Sequence, residues 1–334
     1  MNGKTFIIAE AGANHNRSFE QAKSLIDAAC NAGADAVKFQ TYSSSTLYSK
    51  NTPGFANYSN ISELIKSIEI PREWQKDLKS YCDDKNIEFM STPFDELAVE
   101  QLTELGVKRL KIAGFESTDP RFVKMVASTG LPIIVSAGIG TNIDGVRKII
   151  NWISEVNEEP DITVLHCNNA YPTPNSDINL NRIDKIIITY PNVRVGLSDH
   201  TRGILAPALA VAKGATCIEK HFTLSRLLPG PDHPFAIEPP ELKQMVTDIR
   251  ITELMCQDTA NTITNSEKQF SKAMRSVVAK KAIKSGEKLT TDNITTKRPL
   301  LENSIPAKNF YDILGNMAVC DIEEDHIITF EEVA

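Results

Sequence analysis

The chain has 334 residues, of which 41% are hydrophobic, and a formal net charge of −7 at pH 7. This composition supports a large buried core, and the length suggests one large domain and a smaller one. The acidic balance argues against binding to nucleic acid or to an anionic membrane, because such surfaces need clustered Lys and Arg. No apolar run is long enough to span a bilayer and no signal-peptide pattern begins the chain, so we expect a cytoplasmic protein.

Short apolar, β-rich runs recur along the first three-quarters of the chain, each followed by a helical pattern. The runs are Phe6–Glu10, Ala36–Gln40, Glu88–Thr92, Arg109–Ala113, Ile133–Ala137, Thr163–Cys167, Val193–Leu197 and Cys217–His221. The helical patterns include Phe19–Ala32, Glu73–Lys85, Glu96–Leu105, Asp144–Val156, Ala206–Lys213 and Pro240–Cys256. Eight strands that alternate with helices predict an α/β fold of the (β/α)8 TIM-barrel type. A doubly wound open sheet is the alternative, but no G-x-G-x-x-G turn follows the first run.

The last part of the chain follows a different pattern, with short strands and turns. The predicted strands are Ser276–Ala279, Thr295–Arg298 and Met317–Cys320, with a turn over Lys284–Glu287. We predict a barrel catalytic domain over 1–256, a polar linker over 257–272 and a small β-rich domain over 273–334. A domain of this size is marginally stable alone, so we expect it to dock on another surface.

Two histidines are delivered by consecutive predicted strands. His200 follows the strand that ends near Leu197, and His221 ends the next one, with a helical pattern between them. This order makes the two strands parallel neighbours, so both histidines would lie at the same edge and could share one divalent ion. The alternative is that each histidine is satisfied by local hydrogen bonds. The polar neighbours Ser198, Asp199 and Glu219 favour the metal site.

The carboxyl ends of the other predicted strands are also polar. They carry or lead into Glu10, Asn14, His15, Asn16, Lys38, Gln40, Ser91, Thr92, Lys111, Glu116, Ser136, His166, Asn168, Asn169 and Tyr171. Any one of these ends could be an ordinary solvated strand terminus. A barrel places its chemistry at this edge, and eight polar ends together indicate a binding site.

Lys38 and Lys111 lie within otherwise apolar strands, where an unpaired ammonium group would cost much free energy. One interpretation is a class I aldolase, in which a lysine of lowered pKa forms a Schiff base. The other is a pair of cations that clamps a doubly anionic substrate such as phosphoenolpyruvate. Neutral donors to such a substrate would be Thr92, Ser136, Asn169 and Ser198. Two lysines, several hydroxyls and a predicted metal ion favour the second interpretation.

Nine segments resemble, in order, the bacterial sialic acid synthases, which include N-acetylneuraminate, legionaminic acid and pseudaminic acid synthases. They are IAEAGANHN (8–16), GADAVKFQTY (33–42), STPFD (91–95), KIAGFE (111–116), HCNNAYPTP (166–174), GLSDHT (196–201), IEKHFT (218–223), GPDH (230–233) and KRP (297–299). The resemblance covers essentially the whole chain. It implies a TIM barrel followed by a small antifreeze-like (SAF) domain that is swapped across a homodimer. It also implies condensation of phosphoenolpyruvate with an N-acyl amino sugar of the mannosamine type, using Mn²⁺, Mg²⁺ or Co²⁺.

The same resemblance implies a role for individual residues. His200 and His221 would bind the metal ion. The residues that would hold phosphoenolpyruvate are Lys38, Thr92, Lys111, Ser136, Asn169 and Ser198. Those that would face the sugar are Glu10, Gln40, Glu116, Tyr171, Asp232 and, from the partner subunit, Arg298. Either Glu10 or Glu116 would be the general base for the water that attacks C2 of phosphoenolpyruvate.

The sequence departs from the family pattern in two places. Many relatives have serine in place of Gly114, which removes one donor to the phosphate or carboxylate, and Leu300–Asn303 replaces a glycine-rich turn. HCNNAYPTP and GPDH are closer to N-acetylneuraminate and legionaminate synthases, whereas KIAGFE and Ala-Asn-His-Asn are closer to pseudaminate synthases. We favour the first group. A Schiff-base sialate lyase and a non-catalytic sugar-phosphate binding protein are the alternatives from other classes.

Overall fold

The structure is a computed structural model that describes residues 3–53, 60–257 and 263–334. The chain divides into two compact units, Met1–Gln257 and Asp258–Ala334. The predicted linker over 257–272 falls at this division. Part of it, 258–262, lies outside the described residues, and the part that follows contains the short helix Asn265–Lys268.

Eight parallel strands form the sheet of the first unit. They are β1 Phe6–Gly12, β2 Ala36–Thr41, β3 Glu88–Pro93, β4 Leu110–Ile112, β5 Ile133–Ala137, β6 Ile162–Cys167, β7 Arg194–Asp199 and β8 Cys217–His221. Their hydrogen-bonded order is β3-β2-β1-β8-β7-β6-β5-β4, and β3 also contacts β4. The sheet is therefore a nearly closed barrel, which confirms the predicted fold over the doubly wound alternative. Each strand begins and ends within two residues of its predicted bounds.

Helices occupy the connections between the strands and follow the last strand. They are α1 Phe19–Ala32, α2 Ser44–Leu47, α3 Ile61–Ile68, α4 Trp74–Asp84, α5 Glu96–Glu104, α6 Pro120–Ala127, α7 Ile143–Ser154, α8 Asn181–Thr189, α9 Leu205–Ala212 and α10 Pro239–Met255. Local sequence explains their ends: α1 begins where the Ser18 side chain accepts a hydrogen bond from the Gln21 backbone, and it ends at the left-handed Gly33. Among the described residues, none of the helices has the length and apolarity to cross a membrane.

Alternation of side chains along the strands divides the barrel interior into two layers. The layer towards the amino ends of the strands is apolar and contains Ile8, Ala36, Met90, Ile134, Leu165 and Cys217. Two residues further along the same strands lie Glu10, Lys38, Thr92, Ser136, Cys167 and Glu219, all of them buried. The apolar layer closes one end of the barrel, so the polar layer can be reached from the carboxyl ends of the strands.

The second unit packs around a small apolar core that includes Val277, Ile294 and Ile305. Its strands β9 Ser276–Ala279 and β10 Ile294–Lys297 are antiparallel, and the predicted turn forms at Gly286, whose φ is +83°. The predicted strand Met317–Cys320 is wrong. Met317 pairs singly with Lys288, and Ala318 pairs singly with Val333. Because successive residues pair with different partners, neither ladder extends into a strand.

Candidate active site

A buried carboxylate lies between the two lysines of the polar layer. Lys38 Nζ is 3.6 Å from Glu219 Oε2, and Lys111 Nζ is 3.9 Å from Glu219 Oε1. The hydroxyl of Ser198 donates a hydrogen bond of 3.0 Å to Glu219 Oε1. Burial disfavours the ionised carboxylate, but Lys111, Lys38 and this hydrogen bond outweigh it, and the pKa of Glu219 is lowered. Glu219 therefore neutralises part of the charge of the two lysines.

The two lysines differ in their surroundings. Lys38 Nζ lies 2.8 Å from Glu10 Oε2 and donates a hydrogen bond of 2.8 Å to Thr92 Oγ1. Burial opposes its charge, but Glu10 and Glu219 outweigh burial and raise the pKa of Lys38. Lys111 instead donates to the neutral Ser136 Oγ, at 2.7 Å, and burial lowers its pKa despite the nearby Glu219.

Glu10 is held at both carboxylate oxygens. Gln40 Nε2 donates to Glu10 Oε1 at 2.7 Å, and Lys38 lies on the other oxygen. Burial, assisted by the negative charge of Glu219, raises the pKa of Glu10 to about 7 against the effect of Lys38. A carboxyl group with this pKa can exchange a proton near neutral pH, as a general base or acid must.

The two predicted metal ligands lie side by side. The ring centroids of His200 and His221 are 5.4 Å apart, and both side chains are buried. His200 Nδ1 is 2.6 Å from the Asn168 carbonyl oxygen, so Nδ1 carries the proton and Nε2 keeps a lone pair. His221 Nδ1 is buried without a hydrogen-bond partner. Burial lowers the pKa of both imidazoles, which keeps them neutral as ligands must be.

These two imidazoles fit a divalent ion. The orphaned buried nitrogen of His221 and the free lone pair of His200 are two imidazole donors that a divalent first-row metal ion can accept. Over residues 3–53, 60–257 and 263–334, no cluster of three or more His, Cys, Asp or Glu side chains could hold a metal ion. An ion at this pair would therefore keep coordination positions for water or substrate.

Aromatic and acidic side chains surround the histidines. The Tyr171 ring lies 4.3 Å from the His200 ring and 5.6 Å from Phe235 between centroids. Asp232 Oδ2 is 3.8 Å from His221 Nδ1, and burial raises the pKa of Asp232 to about 6. The structure thus brings Tyr171 and Asp232, two of the predicted sugar ligands, to the predicted metal ligands.

The two remaining predicted sugar ligands are Glu116 and Arg298. Glu116 follows β4 and lines a cavity of about 940 Å³ together with Phe115 and Arg121. One of its carboxylate oxygens is buried without a hydrogen-bond partner, and burial raises the pKa of Glu116. Arg298 belongs to the second unit, directly after β10, and its role stays a prediction.

The side chain of Asn169 lies across two glycines. Asn169 Oδ1 accepts a hydrogen bond of 2.8 Å from the backbone of Ile139. A Cβ atom on Gly114 would be 2.8 Å from Asn169 Nδ2, and one on Gly138 would be 1.9 Å from Asn169 Oδ1. The glycine at position 114 therefore has two consequences. It lacks the hydroxyl donor that serine would supply, and it leaves space for the Asn169 amide.

Sequence reasoning named Glu219 only as a polar neighbour of the histidines and missed its place between the lysines. A signal was present, because Glu219 is two residues before His221 and strand side chains alternate. That rule places Glu219 on the inner face of β8 with His221. The Asn168 carbonyl, which orients His200, had no such signal, because a backbone contact depends on the path of the loop.

The dependence of stability on acid pH provides a test of the burial of His15. Burial and the nearby Arg17 charge lower the pKa of His15 from 6.5 to about 4. Between these values the unfolded chain binds a proton that the folded chain does not. Protonation of His15 therefore does not affect stability above pH 6.5. As the pH falls from 6.5 towards 4, it lowers the free energy of unfolding by about 3 kcal/mol.

Urea unfolding at several pH values measures this effect. We expect the free energy of unfolding of His15→Gln to fall less on acidification than that of the unaltered protein. Arg17→Gln should keep most of the pH dependence, because burial is the larger cause of the shift. Equal pH dependence in the unaltered protein and in His15→Gln would contradict the prediction.

Comparisons with known proteins identify the family of this chain. The profile of the NeuB family matches residues 25–261. The chain belongs to the NeuB family. The profile of the SAF domain matches residues 274–334 of this NeuB-family chain, which confirms the predicted C-terminal domain.

The relatives of this NeuB-family chain align over nearly all of it. An uncharacterised protein of Methanocaldococcus jannaschii is 42% identical, covering 98% of this chain and 94% of that protein. N,N'-diacetyllegionaminic acid synthase of Campylobacter jejuni is 38% identical (97% and 99% covered), and pseudaminic acid synthase of the same species is 37% identical (96% and 94%). The crystal structure of N-acetylneuraminic acid synthetase from Leptospira borgpetersenii superposes with a TM-score of 0.74 at 34% identity, over 80% of this chain and 90% of that one.

Proposed function

We propose that this protein condenses phosphoenolpyruvate with an N-acylated mannosamine-type sugar, forming N-acetylneuraminate or legionaminate and releasing phosphate. The observation that carries the proposal is the buried polar layer, in which Lys38 and Lys111 lie among hydroxyl groups beside two neutral histidines. Pseudaminic acid synthesis is the alternative, because the legionaminic and pseudaminic acid synthases are nearly equally similar to this chain.

The lysines supply the charge that a dianionic substrate needs. Lys38 and Lys111 bring two ammonium groups to one buried layer, with Glu219 between them. Charge-assisted hydrogen bonds from buried ammonium groups are about twice as strong as neutral ones. The hydroxyls that already contact these residues, such as Thr92 and Ser136, would add neutral donors to the phosphate and carboxylate.

C3 of phosphoenolpyruvate would attack the aldehyde carbon of the open-chain sugar, and water would then add to C2. His200 and His221 would hold a divalent ion (Mn²⁺, Mg²⁺ or Co²⁺), which when bound supplies Lewis-acid polarisation of the aldehyde. We assign the base for water to Glu10, because its pKa near 7 and its contact with Lys38 suit proton transfer beside the substrate. The tetrahedral intermediate would lose phosphate by cleavage of the C–O bond.

The decisive experiment measures phosphate release from phosphoenolpyruvate with a panel of sugars. The panel contains N-acetylmannosamine, its 6-deoxy-2,4-diacetamido analogue and the corresponding altrose. Release with either of the first two supports the proposed products, whereas release with the altrose alone identifies a pseudaminic acid synthase. Reaction in ¹⁸O-labelled water should leave the label in the sugar acid and not in the phosphate. Absence of release with every sugar would support the sugar-phosphate binding protein.

A Schiff-base lyase is the second candidate, because the pKa of the buried Lys111 is lowered. Borohydride reduction in the presence of pyruvate would trap such an enzyme and add the mass of a reduced pyruvyl group to Lys111. We expect no such adduct. The hydrogen bonds of Lys111 to Ser136 and to the Ile112 carbonyl occupy its nitrogen, which favours a binding role.

We also propose a homodimer in which Arg298 of one chain completes the sugar site of the other. Arg298→Ala should then raise the sugar KM and leave phosphoenolpyruvate binding unchanged, whereas a solvated surface charge would contribute only about 0–1 kcal/mol. Mixing Arg298→Ala with His221→Ala protein under subunit exchange should restore partial activity. Failure to restore it, after mass measurement confirms exchange, would mean that Arg298 does not act across subunits.

Gly114 provides a test of the phosphoenolpyruvate site. We expect Gly114→Ser to displace the Asn169 amide and to raise the phosphoenolpyruvate KM, because the new Cβ lies too close to it. A double-mutant cycle with Asn169→Ala isolates this contact. In the Asn169→Ala background, Gly114→Ser should have little further effect. Equal effects of Gly114→Ser in both backgrounds would contradict the proposed contact.

A further inference from the structure

A separate buried ion pair lies behind the two histidines. Lys220 Nζ is 2.7 Å from Asp199 Oδ2, and each residue is 1% exposed. Asp199 precedes His200 in the chain, and Lys220 precedes His221. Because side chains alternate along a strand, the pair lies on the outer face of the barrel while the histidines point inward.

The outer-face residues that precede this pair on β7 and β8 are apolar. Val195 and Leu197 on β7, and Ile218 on β8, occupy the same outer face and belong to the main core. A buried ion pair at such a place contributes little net stability, and well-packed apolar residues often replace one without loss. The presence of Lys220 and Asp199 therefore needs a reason other than stability.

The pair connects the strand ends at the point where backbone pairing stops. Asp199 and Lys220 form the last pair between β7 and β8. The next residue of β8, His221, pairs with Glu10 of β1, on the other side of β8. The His200 carbonyl accepts a hydrogen bond of 2.9 Å from the Thr173 backbone. The backbones of the two histidines are thus held by different neighbours.

The side chains of the pair link these two positions. Lys220 Nζ donates to the Thr201 carbonyl as well as to Asp199. Asp199 Oδ1 accepts a hydrogen bond of 2.9 Å from the Thr201 backbone, and Oδ2 accepts one of 3.1 Å from the Thr201 hydroxyl. Lys220, the residue before His221, therefore binds both neighbours of His200, which are Asp199 and Thr201.

We propose that the buried Lys220–Asp199 pair is a positioning device that fixes the spacing of His200 and His221 and thereby sets the affinity for the divalent ion. The inference rests on the proposed metal role of the histidines. Asp199 and Lys220 would act through the two histidines and would not themselves be ligands of the ion. Outer-shell partners of metal ligands typically contribute about 10- to 100-fold in metal affinity.

The test replaces both residues at once, because removing one would leave an uncompensated buried charge. In Asp199→Leu/Lys220→Met we expect the Kd for Mn²⁺, measured by calorimetry, to rise roughly 10- to 100-fold. Phosphoenolpyruvate affinity should stay unchanged, because Lys38 and Lys111 lie on the inner face. At saturating Mn²⁺ the kcat should recover to within about twofold, since the ligands themselves are retained.

Two further variants make the test specific. Asp199→Asn/Lys220→Gln keeps polar partners but shortens the reach from β8, so its Mn²⁺ affinity should be intermediate. Glu88→Leu/Arg109→Met removes an ion pair of 2.7 Å beside the amino ends of β3 and β4, and it should leave Mn²⁺ affinity unchanged. Unaltered affinity in both variants of the Lys220–Asp199 pair would overturn this inference alone. Absence of Mn²⁺ binding by the unaltered protein would overturn the metal role and this inference with it.

Discussion

Replacing His200 or His221 with alanine is expected to remove Mn²⁺ binding and to lower kcat/KM about a thousandfold or more, while the barrel stays folded. Each imidazole is a neutral, buried nitrogen donor, and removing either one would leave the ion a single donor at this pair. Lewis-acid polarisation contributes several kcal/mol to a transition state, and about 4 kcal/mol corresponds to a thousandfold in rate.

Electron paramagnetic resonance of added Mn²⁺ measures the binding, and circular dichroism measures the fold. The control is His326→Ala, because His326 lies in the second unit and is exposed. We expect that variant to retain full binding and activity. Chelator-treated, unaltered protein should be inactive and should recover with Mn²⁺. Full turnover by the metal-free protein would show that the histidine pair has another role.

The second large effect is expected from Lys111→Met. The substitution keeps most of the length of the side chain and removes an ammonium group that we assign to phosphoenolpyruvate. A charge-assisted hydrogen bond contributes roughly 2–3 kcal/mol, so phosphoenolpyruvate affinity should fall roughly 30- to 150-fold. Glu219 keeps an ion pair with Lys38 in this variant, which limits the loss of stability.

Initial-rate kinetics with each substrate varied separately checks the assignment. The phosphoenolpyruvate KM should rise far more than the sugar KM. Lys38→Met should have a similar effect on phosphoenolpyruvate and a larger effect on stability, because it leaves Glu10 buried without its cation. A raised sugar KM with an unchanged phosphoenolpyruvate KM would contradict the assignment of both lysines.

The differing pKa directions of the two lysines follow from their partners. Lys38 lies 2.8 Å from a carboxylate, whereas Lys111 contacts a hydroxyl and a backbone carbonyl. The proposed substrate site therefore contains one strongly retained cation, Lys38, and one that burial disfavours, Lys111. A bound dianion would place negative charge beside Lys111 and raise the pKa of that lysine. Substrate binding would therefore be coupled to protonation of Lys111.

Several features of this protein follow from the sequence by itself. Apolar runs of five residues separated by helical patterns identified the eight strands, because a strand buried on both faces needs a nearly continuous apolar run. The two-residue period placed Lys38 and Gln40 on one face, and the order of strand, helix and strand placed His200 beside His221. These are local or nearest-neighbour properties, and local sequence encodes them directly.

Only the tertiary structure decided the contacts that cross the barrel. Closure of the sheet brings together Lys38 on β2, Lys111 on β4 and Glu219 on β8. The sequence of one strand does not show how far it lies from a strand that is not its neighbour. Closure also buries Glu10 beside these charges, which raises its pKa to about 7. The same limit explains Met317–Cys320, whose apolar run predicts a strand although successive residues there find different partners. Burial and long-range pairing depend on the whole fold, so they have no counterpart in the pattern of any one segment.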